Sequence, residues 1–554
     1  MTQASSNVEQ TGQGTSSTEN TDASLLYRLR HVAQRVPLRM TLSLILFIIA
    51  MGFNLYRLGN PSIWFDEAFS VELARQPLPL LWHIIFGSEP NMELYYLFLH
   101  FWLGLTGSLG VHATEFVVRF PSTIFAALST VVVFLLGQRF IGTGAGVVGA
   151  GLYLLNDLQL VYAQQTRAYS LQLLLICVAW YALLAALTCK SAPRRWWACY
   201  IVATTLAIYT HLFSALILVS QLCAIGLFLL VPEERRRVVS QLRNLIGSLL
   251  IVGLLSIPMV LVSRHGSKTG WLPIPHLSDI YALFLTISAN SKIYLLLLAA
   301  FCAFGVFMTV VYVLPAGREY LTRYELVDEK RTIQRFLPVV LALLCWLVVP
   351  IVVSYIISQT PTRLFSSRYL VTIVPPLCLL VGSGVAMLRW RAIQVGLGVI
   401  LLLLALHYVP LYYQSAQVED WGPAVHWLEQ RYQANDGLVC YDNDVEQGCQ
   451  ISVEYYLHAY PTGAHFTADS PGAFSWANFG PVNSKAGSGA AVDPVALAQY
   501  GARHAHLFFI VGRVPDAASA VKVQVAEQWL NSHYRFVDQI VTRTVAVRLY
   551  DTGR

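Results

Sequence analysis

Acids, arginines and a histidine recur in this chain beside apolar segments, and their types suit proton transfer on a substrate that is part anion and part hydrocarbon. The first group is Trp64-Phe65-Asp66-Glu67-Ala68-Phe69-Ser70, where the adjacent acids Asp66 and Glu67 are flanked by aromatics. Such a pair also suits the first turn of a helix, whose dipole favours anions. The second group, Glu89-Pro90-Asn91-Met92-Glu93-Leu94-Tyr95-Tyr96, offers Glu93 and Tyr96, with helix capping as the plainer role. Arg119 opens Arg119-Phe120-Pro121-Ser122, where it either holds an anion or snorkels. The stretch Tyr162-Ala163-Gln164-Gln165-Thr166-Arg167-Ala168-Tyr169-Ser170 places Tyr162, Gln164, Arg167 and Tyr169 between two apolar runs. An arginine there needs Asp66, Glu67 or a ligand phosphate as its partner. His211 ends Tyr209-Thr210-His211, and Arg264 and Arg368-Tyr369 add further cations and a phenol. With Arg167, Arg264 and Arg368 as phosphate holders, the combination suits a lipid with a phosphate head and a hydroxyl acceptor that must lose a proton.

The elements that position these residues are membrane spans. The 554 residues are 56% apolar and only 12% charged, against about a quarter charged in a soluble protein. Apolar runs near the ~20 residues that cross a bilayer predict about eleven helices, near 40–58, 119–136, 144–160, 169–187, 196–210, 213–231, 244–262, 293–314, 337–357, 370–387 and 393–412. The expected organisation is a cytoplasmic, disordered tail (1–38), a membrane domain (39–413) and an extracytoplasmic domain (414–554). Residues 1–22 are polar and lack the basic patch and apolar core of a signal peptide.

The net charge of +6 arises largely in short loops: Arg28 to Arg39, Arg139, Lys190 to Arg195, Arg235 to Arg243, Arg318 to Arg335, and Arg389 with Arg391. With eleven spans these all fall on one side, which the positive-inside rule makes cytoplasmic. The basic clusters therefore report topology and not nucleic-acid binding. Residues 92–106 are apolar but short, and a crossing there would turn every later basic loop outward. They are expected to lie in the interface, inside a long external loop from 59 to 118. Every candidate site residue then sits at one membrane face. The part beyond 413 alternates helix-like segments (Trp421–Tyr432, Glu446–His458, Ala517–Leu530) with strand-like ones (Gly437–Tyr441, His506–Val511 and a pair within Phe536–Tyr550), an α/β or α+β pattern, with 461–495 as loop. Cys440 and Cys449 pair if that part lies in an oxidising compartment.

Taken in order, WFDEAFS, EPNMELYY, RFPS, YAQQTRAYSL, THLF and SSRYLVTIVPP resemble the GT-C superfamily of membrane glycosyltransferases, specifically family-39-like proteins related to protein O-mannosyltransferases and aminoarabinose transferases. Glu419-Asp420-Trp421 looks like that family's usual continuation, and the resemblance covers roughly residues 40–430. It implies transfer of a mannose-like hexose or a pentose from a polyprenyl-phosphate carrier to a protein, lipid or glycan acceptor on the extracytoplasmic face of the plasma membrane, with inversion. By the resemblance Asp66 is the base, Glu67 its support or an acceptor contact, and Arg167 a donor-phosphate or catalytic-loop residue. Relatives often carry Pro-Pro-Leu where this chain has Asn91-Met92-Glu93-Leu94. That departure leaves a divalent metal (Mg, Mn or Zn), which some relatives bind, an open expectation. A lipid or ion transporter is the alternative; it would show charges or broken helices near mid-membrane. A catalytically inactive scaffold would not need the Asp66-Glu67 pair.

Overall fold

The computed structural model describes residues 37–89, 91–188, 193–263, 269–270, 272–314, 336–443, 447–479, 490–514 and 516–554. The tail to residue 36, the basic stretch at 318–335, Lys190 and Arg264 lie outside them.

Each apolar run becomes a helix, because a backbone in hydrocarbon must satisfy its own N–H and C=O groups. Eight are long and apolar enough to cross a membrane: Leu38–Leu55, Glu115–Phe140, Tyr169–Thr188, Leu242–Val262, Lys292–Val311, Leu337–Ile357, Ser367–Ala386 and Arg391–Ser415. Two bent pairs raise the number to ten: Thr143–Leu154 with Asp157–Ala163 (63°), and Ser214–Leu230 with Pro232–Ser240 (119°). The chain is therefore a multi-pass membrane protein with eight to ten such spans among the described residues. The expected eleventh, near 196–210, is the helix Pro193–Thr210. Pro193, Arg194 and Arg195 occupy its first turn and dilute its apolarity.

The expected continuous span 144–160 is also corrected. It breaks after Leu154, and Asn156 caps the second piece by accepting from the Leu158 and Gln159 N–H groups (3.1 and 3.3 Å). Its Nδ2 donates to the Ile287 carbonyl at 2.8 Å. This carbonyl belongs to Leu277–Ile287, a short helix that the hydropathy pattern did not suggest.

Side-chain contacts identify the two ends of the bundle. At one, Arg39 and Arg139 both donate to the Tyr181 hydroxyl (3.2 and 2.9 Å), and the Arg139 guanidinium lies 5.3 Å from the Trp196 ring. At the other, Gln164 donates to the carbonyls of Asn54 and Tyr56 (2.9 and 2.8 Å). Arg119 donates there to the carbonyls of Leu58, Pro61 and Ser62. The chain thus leaves Leu38–Leu55 and begins Glu115–Phe140 at the same end, and Glu93–Ser108 does not cross between them. Phe101, Leu105 and Leu109 on or beside that helix remain exposed (64, 54 and 71%), as does Trp82 (54%) of the neighbouring Leu78–Gly87. Such faces suit the membrane interface.

The helices interlock through small residues. A Cβ on Gly137 would sit 2.5 Å from Gly146 Cα, and one on Gly382 2.5 Å from the Ala145 carbonyl oxygen. Close backbone approach of this kind replaces the hydrophobic drive that lipid removes.

The C-terminal region carries a four-stranded sheet in the order β1-β2-β4-β3, where β1 is Gly437–Cys440, β2 His506–Gly512, β3 Arg535–Val541 and β4 Val545–Asp551. The β1–β2 pair is parallel and the other two are antiparallel. The helices Trp421–Arg431, Gly448–Ala459 and Ala517–His533 stand where helical patterns were expected. The expected loop 461–495 differs at its end, where Ala490–Ala491 pairs with Asp442–Asn443 and the helix Pro494–Gly501 begins. Asp493 caps that helix, its side chain accepting from Val495 N–H. Cys440 and Cys449 form a disulfide, with Cα atoms 6.1 Å apart.

A bulkier residue at a helix crossing forces neighbours off their minima, at about 1–3 kcal/mol. Gly382→Val should lower the melting temperature of the detergent-solubilised protein, whereas valine at Gly396, where a Cβ meets nothing within 4 Å, should not. Equal melting curves for the two variants would refute the packing argument.

Candidate active site

Asp66 and Glu67 occupy the first turn of the helix Phe65–Arg75, but they face different partners. Glu67 is fully buried. Arg119 grips it twice (Nε–Oε1 2.9 Å, Nη2–Oε2 2.7 Å), and the Thr166 N–H donates to Oε1 at 2.7 Å. One carboxylate therefore fixes the start of a spanning helix and the loop that carries Arg167. The three carbonyl contacts given above take up the remaining N–H groups of Arg119. All five guanidinium donors are thus committed to the protein, which corrects Arg119 as a substrate contact. Gln164 is corrected likewise: its amide nitrogen holds the end of the first helix and its oxygen accepts from Tyr412 at 2.9 Å.

Asp66 is the accessible acid, its side chain 21% exposed. Arg368 Nη1 reaches its Oδ2 at 3.1 Å and Arg167 Nη2 lies 3.8 Å from the same oxygen. Oδ1 accepts no hydrogen bond within the described residues. Arg167 is anchored by donating to the Asp66 carbonyl and to Ser70 Oγ, both at 2.9 Å. Two cations thus share one anion, a net positive centre, and the Trp64 ring centroid lies 5.8 Å from the Arg368 guanidinium.

Aromatic rings form one wall. Tyr162 meets Tyr169 (4.4 Å between centroids), Tyr169 meets His211 (5.4 Å), and His211 meets Tyr369 (5.2 Å). Burial, with Arg167 and Arg368 nearby, pushes the His211 imidazole down to about 3. Its Nδ1 accepts from the Phe213 N–H at 3.2 Å. A neutral ring that accepts at Nδ1 carries its proton on Nε2, and Nε2 is buried with no partner among the described residues.

Glu93 and Tyr96 lie next to this centre. The charges of Arg167, Asp66 and Glu93 all act on the Tyr96 hydroxyl, which burial keeps protonated. Neither buried Glu93 oxygen has a hydrogen-bond partner in another described residue, and burial pushes the carboxyl up to about 8. Glu93 is then neutral at pH 7. No three His, Cys, Asp or Glu side chains converge among the described residues, so no ligand set for a metal is assembled there and no step is routed through one.

The motifs around Asp66 did not reveal what caps its helix. Glu419 accepts from the Phe65 N–H at 2.9 Å and from Trp421 Nε1 at 2.7 Å, with Arg513 Nε 3.8 Å away. Burial raises the Glu419 carboxyl above its usual range. The Arg513 guanidinium lies 3.7 Å over the Phe65 ring. Glu419-Asp420-Trp421 was visible as a motif, but Arg513 carried no signal. Further contacts bind the C-terminal region to the same loop: Ile63 N–H to Tyr456 OH (2.9 Å), His458 Nδ1 with Glu72 Oε2 (2.7 Å), and Tyr455 OH to the Ala113 carbonyl (3.1 Å).

Comparison with known proteins agrees with this architecture. Residues 96–263, a minority of the chain, match the family described as dolichyl-phosphate-mannose-protein mannosyltransferase. ArnT from Cupriavidus metallidurans in the apo state is similar over 92% of this chain and 98% of its own, with 12% identity and a TM-score of 0.52. ArnT bound to undecaprenyl phosphate is similar over 91% and 97%, with 11% identity and a TM-score of 0.52. The Archaeoglobus fulgidus oligosaccharyltransferase tethered to an acceptor peptide is similar over 92% and 74%, with 11% identity and a TM-score of 0.47. No curated protein matches by sequence. The chain has the fold of the GT-C membrane glycosyltransferases.

Two outcomes test the roles assigned to buried groups. Arg119→Ala strands the Glu67 charge and should destabilise by about 3–5 kcal/mol, seen as lost folded yield and a lower melting temperature, with Glu67→Gln in the same background recovering part of both. Glu93 holds its proton more tightly folded than unfolded. Stability should therefore fall as pH rises from about 4.5 towards 8, and Glu93→Gln should remove that part of the slope in melting curves. Parallel slopes for wild type and variant would count against a strained Glu93.

Proposed function

We propose that this protein is an inverting glycosyltransferase that moves a sugar from a polyprenyl-phosphate carrier to a hydroxyl acceptor on the extracytoplasmic face. The observation that carries the reading is the centre of Asp66, Arg167 and Arg368: one accessible carboxylate with a free oxygen beside two guanidinium groups. The fold shared with ArnT, which has been observed with undecaprenyl phosphate, supports a carrier of that class.

A hydroxyl is a weak nucleophile at neutral pH. Asp66 takes its proton as the hydroxyl oxygen attacks the anomeric carbon, a contribution of typically ~10²–10⁴-fold. The bond from that carbon to the phosphate oxygen breaks on the opposite face, and its electrons leave with the lipid phosphate. Arg167 and Arg368 receive this anion, exchanging Asp66 for phosphate oxygens as charge develops. His211 Nε2–H and the Tyr96 hydroxyl are the neutral donors for sugar or phosphate oxygens. Glu67 and Arg119 act by holding Asp66 and Arg167 in place. The positive-inside pattern puts this end of the bundle outside the cytoplasm, where the carrier's hydrocarbon stays in the bilayer while its head enters among the helices.

Asp66→Asn keeps the size of the side chain and removes the base. Transfer from a polyprenyl-phosphate-linked sugar should fall at least ~10²-fold, with unchanged expression and melting temperature. Full transfer by this variant would remove Asp66 as the base. Arg368→Ala should raise the KM for the donor more than that for the acceptor; an unchanged donor KM would reject the phosphate role.

A further inference from the structure

Between the first and last spanning helices runs an apolar groove of about 630 Å³, lined by Ile49, Phe53, Leu406, Val409 and Pro410. It closes at the end of the bundle that bears the C-terminal region. There Tyr56 packs against Tyr413 (4.9 Å between centroids), and Tyr413 OH donates to the Phe53 carbonyl at 2.5 Å. Arg57 lines the groove at this closed end. Its backbone is left-handed (φ 57°), a conformation that costs a non-glycine residue energy and recurs at ligand clamps. Its guanidinium has no ion pair or hydrogen bond among the described residues. An arginine at the head-group level of an apolar groove, with no carboxylate to balance it, is complementary to an anion that carries a hydrocarbon tail.

We propose that this groove binds one anionic glycerophospholipid of the surrounding bilayer, its phosphate on Arg57 and an acyl chain along Phe53 and Val409. Both walls are spanning helices that face the bilayer, so such a lipid is the abundant species able to enter sideways. A second cavity, lined by Leu58, Trp64, Glu67, Tyr412 and Ser415, adjoins the groove: Leu58 follows Arg57, and Tyr412 and Ser415 flank Tyr413 and Gln414. The bound lipid therefore braces the root of the loop that holds Asp66. The assignment is independent of the reaction proposed above, because its test reads lipid retention and not transfer.

The test uses the full chain, delipidated in neutral detergent and titrated with dioleoyl phosphatidylglycerol or dioleoyl phosphatidylcholine, with retained lipid counted by native mass spectrometry. One phosphatidylglycerol per chain should persist where phosphatidylcholine does not. Arg57→Ala should weaken that binding about fivefold. Gly52→Trp should empty the site, since Gly52 lines the groove and a Cβ there meets nothing within 4 Å, so the added side chain extends into the groove. Equal retention of the two lipids by the wild type would overturn the proposal, and so would phosphatidylglycerol persisting on Gly52→Trp. Retention of geranylgeranyl phosphate in place of phosphatidylglycerol would also overturn it, by assigning the groove to a prenyl carrier.

Discussion

A carboxylate without solvent must be neutralised where it stands, and in this protein that requirement organises the site. Glu67 is inaccessible and takes two hydrogen bonds from Arg119 and one from the Thr166 backbone. Arg119 in turn gathers three carbonyls from the turn between Leu58 and Ser62. Three chain segments far apart in sequence, 58–67, the start of the helix with Arg119 and the loop with Thr166, converge on a single ion pair. Its net energy is modest, because desolvation offsets much of the attraction. Its importance is geometric: a wrong arrangement strands a charge, so the loop has one way to fold. Asp66, one residue away, inherits a defined position and leaves one oxygen unengaged.

The same logic separates two neighbouring acids by environment. Glu67 is saturated by the protein, whereas Asp66 is partly open and shared between Arg167 and Arg368. Glu93 takes a third course, avoiding the cost of a buried charge by keeping its proton. His211 does the equivalent for a base and stays uncharged beside two cations. The charge of the centre is thus set by which groups ionise and not by composition alone.

Much of this was legible in the residues. Apolar length gave the helices, and charge bookkeeping kept the segment 92–106 out of the count of spans, which Glu93–Ser108 obeys. Motif order brought Asp66, Arg167, Arg368, His211 and the tyrosines together. What stayed hidden depends on saturation and on distance along the chain. Arg119 and Gln164 have the types of ligand contacts, and only their full sets of protein partners show otherwise. The break at Asn156 hinges on a carbonyl from residue 287, and the contribution of Arg513 depends on the end of an inner strand of the sheet lying over Phe65. Residue type and local spacing carry none of that information.

The cap on the Asp66 helix comes from Glu419, 354 residues later in the chain. A membrane protein is threaded into the bilayer from its N-terminus as it is synthesised, and the early segments settle first. The loop with Asp66 emerges among the first, yet its helix start lacks this acceptor until more than three quarters of the polypeptide has been made. A nascent chain can therefore hold its early helices in the membrane while its acid is still unaligned. The cap on this helix therefore arrives late, when the C-terminal segment that carries Glu419 folds onto the loop.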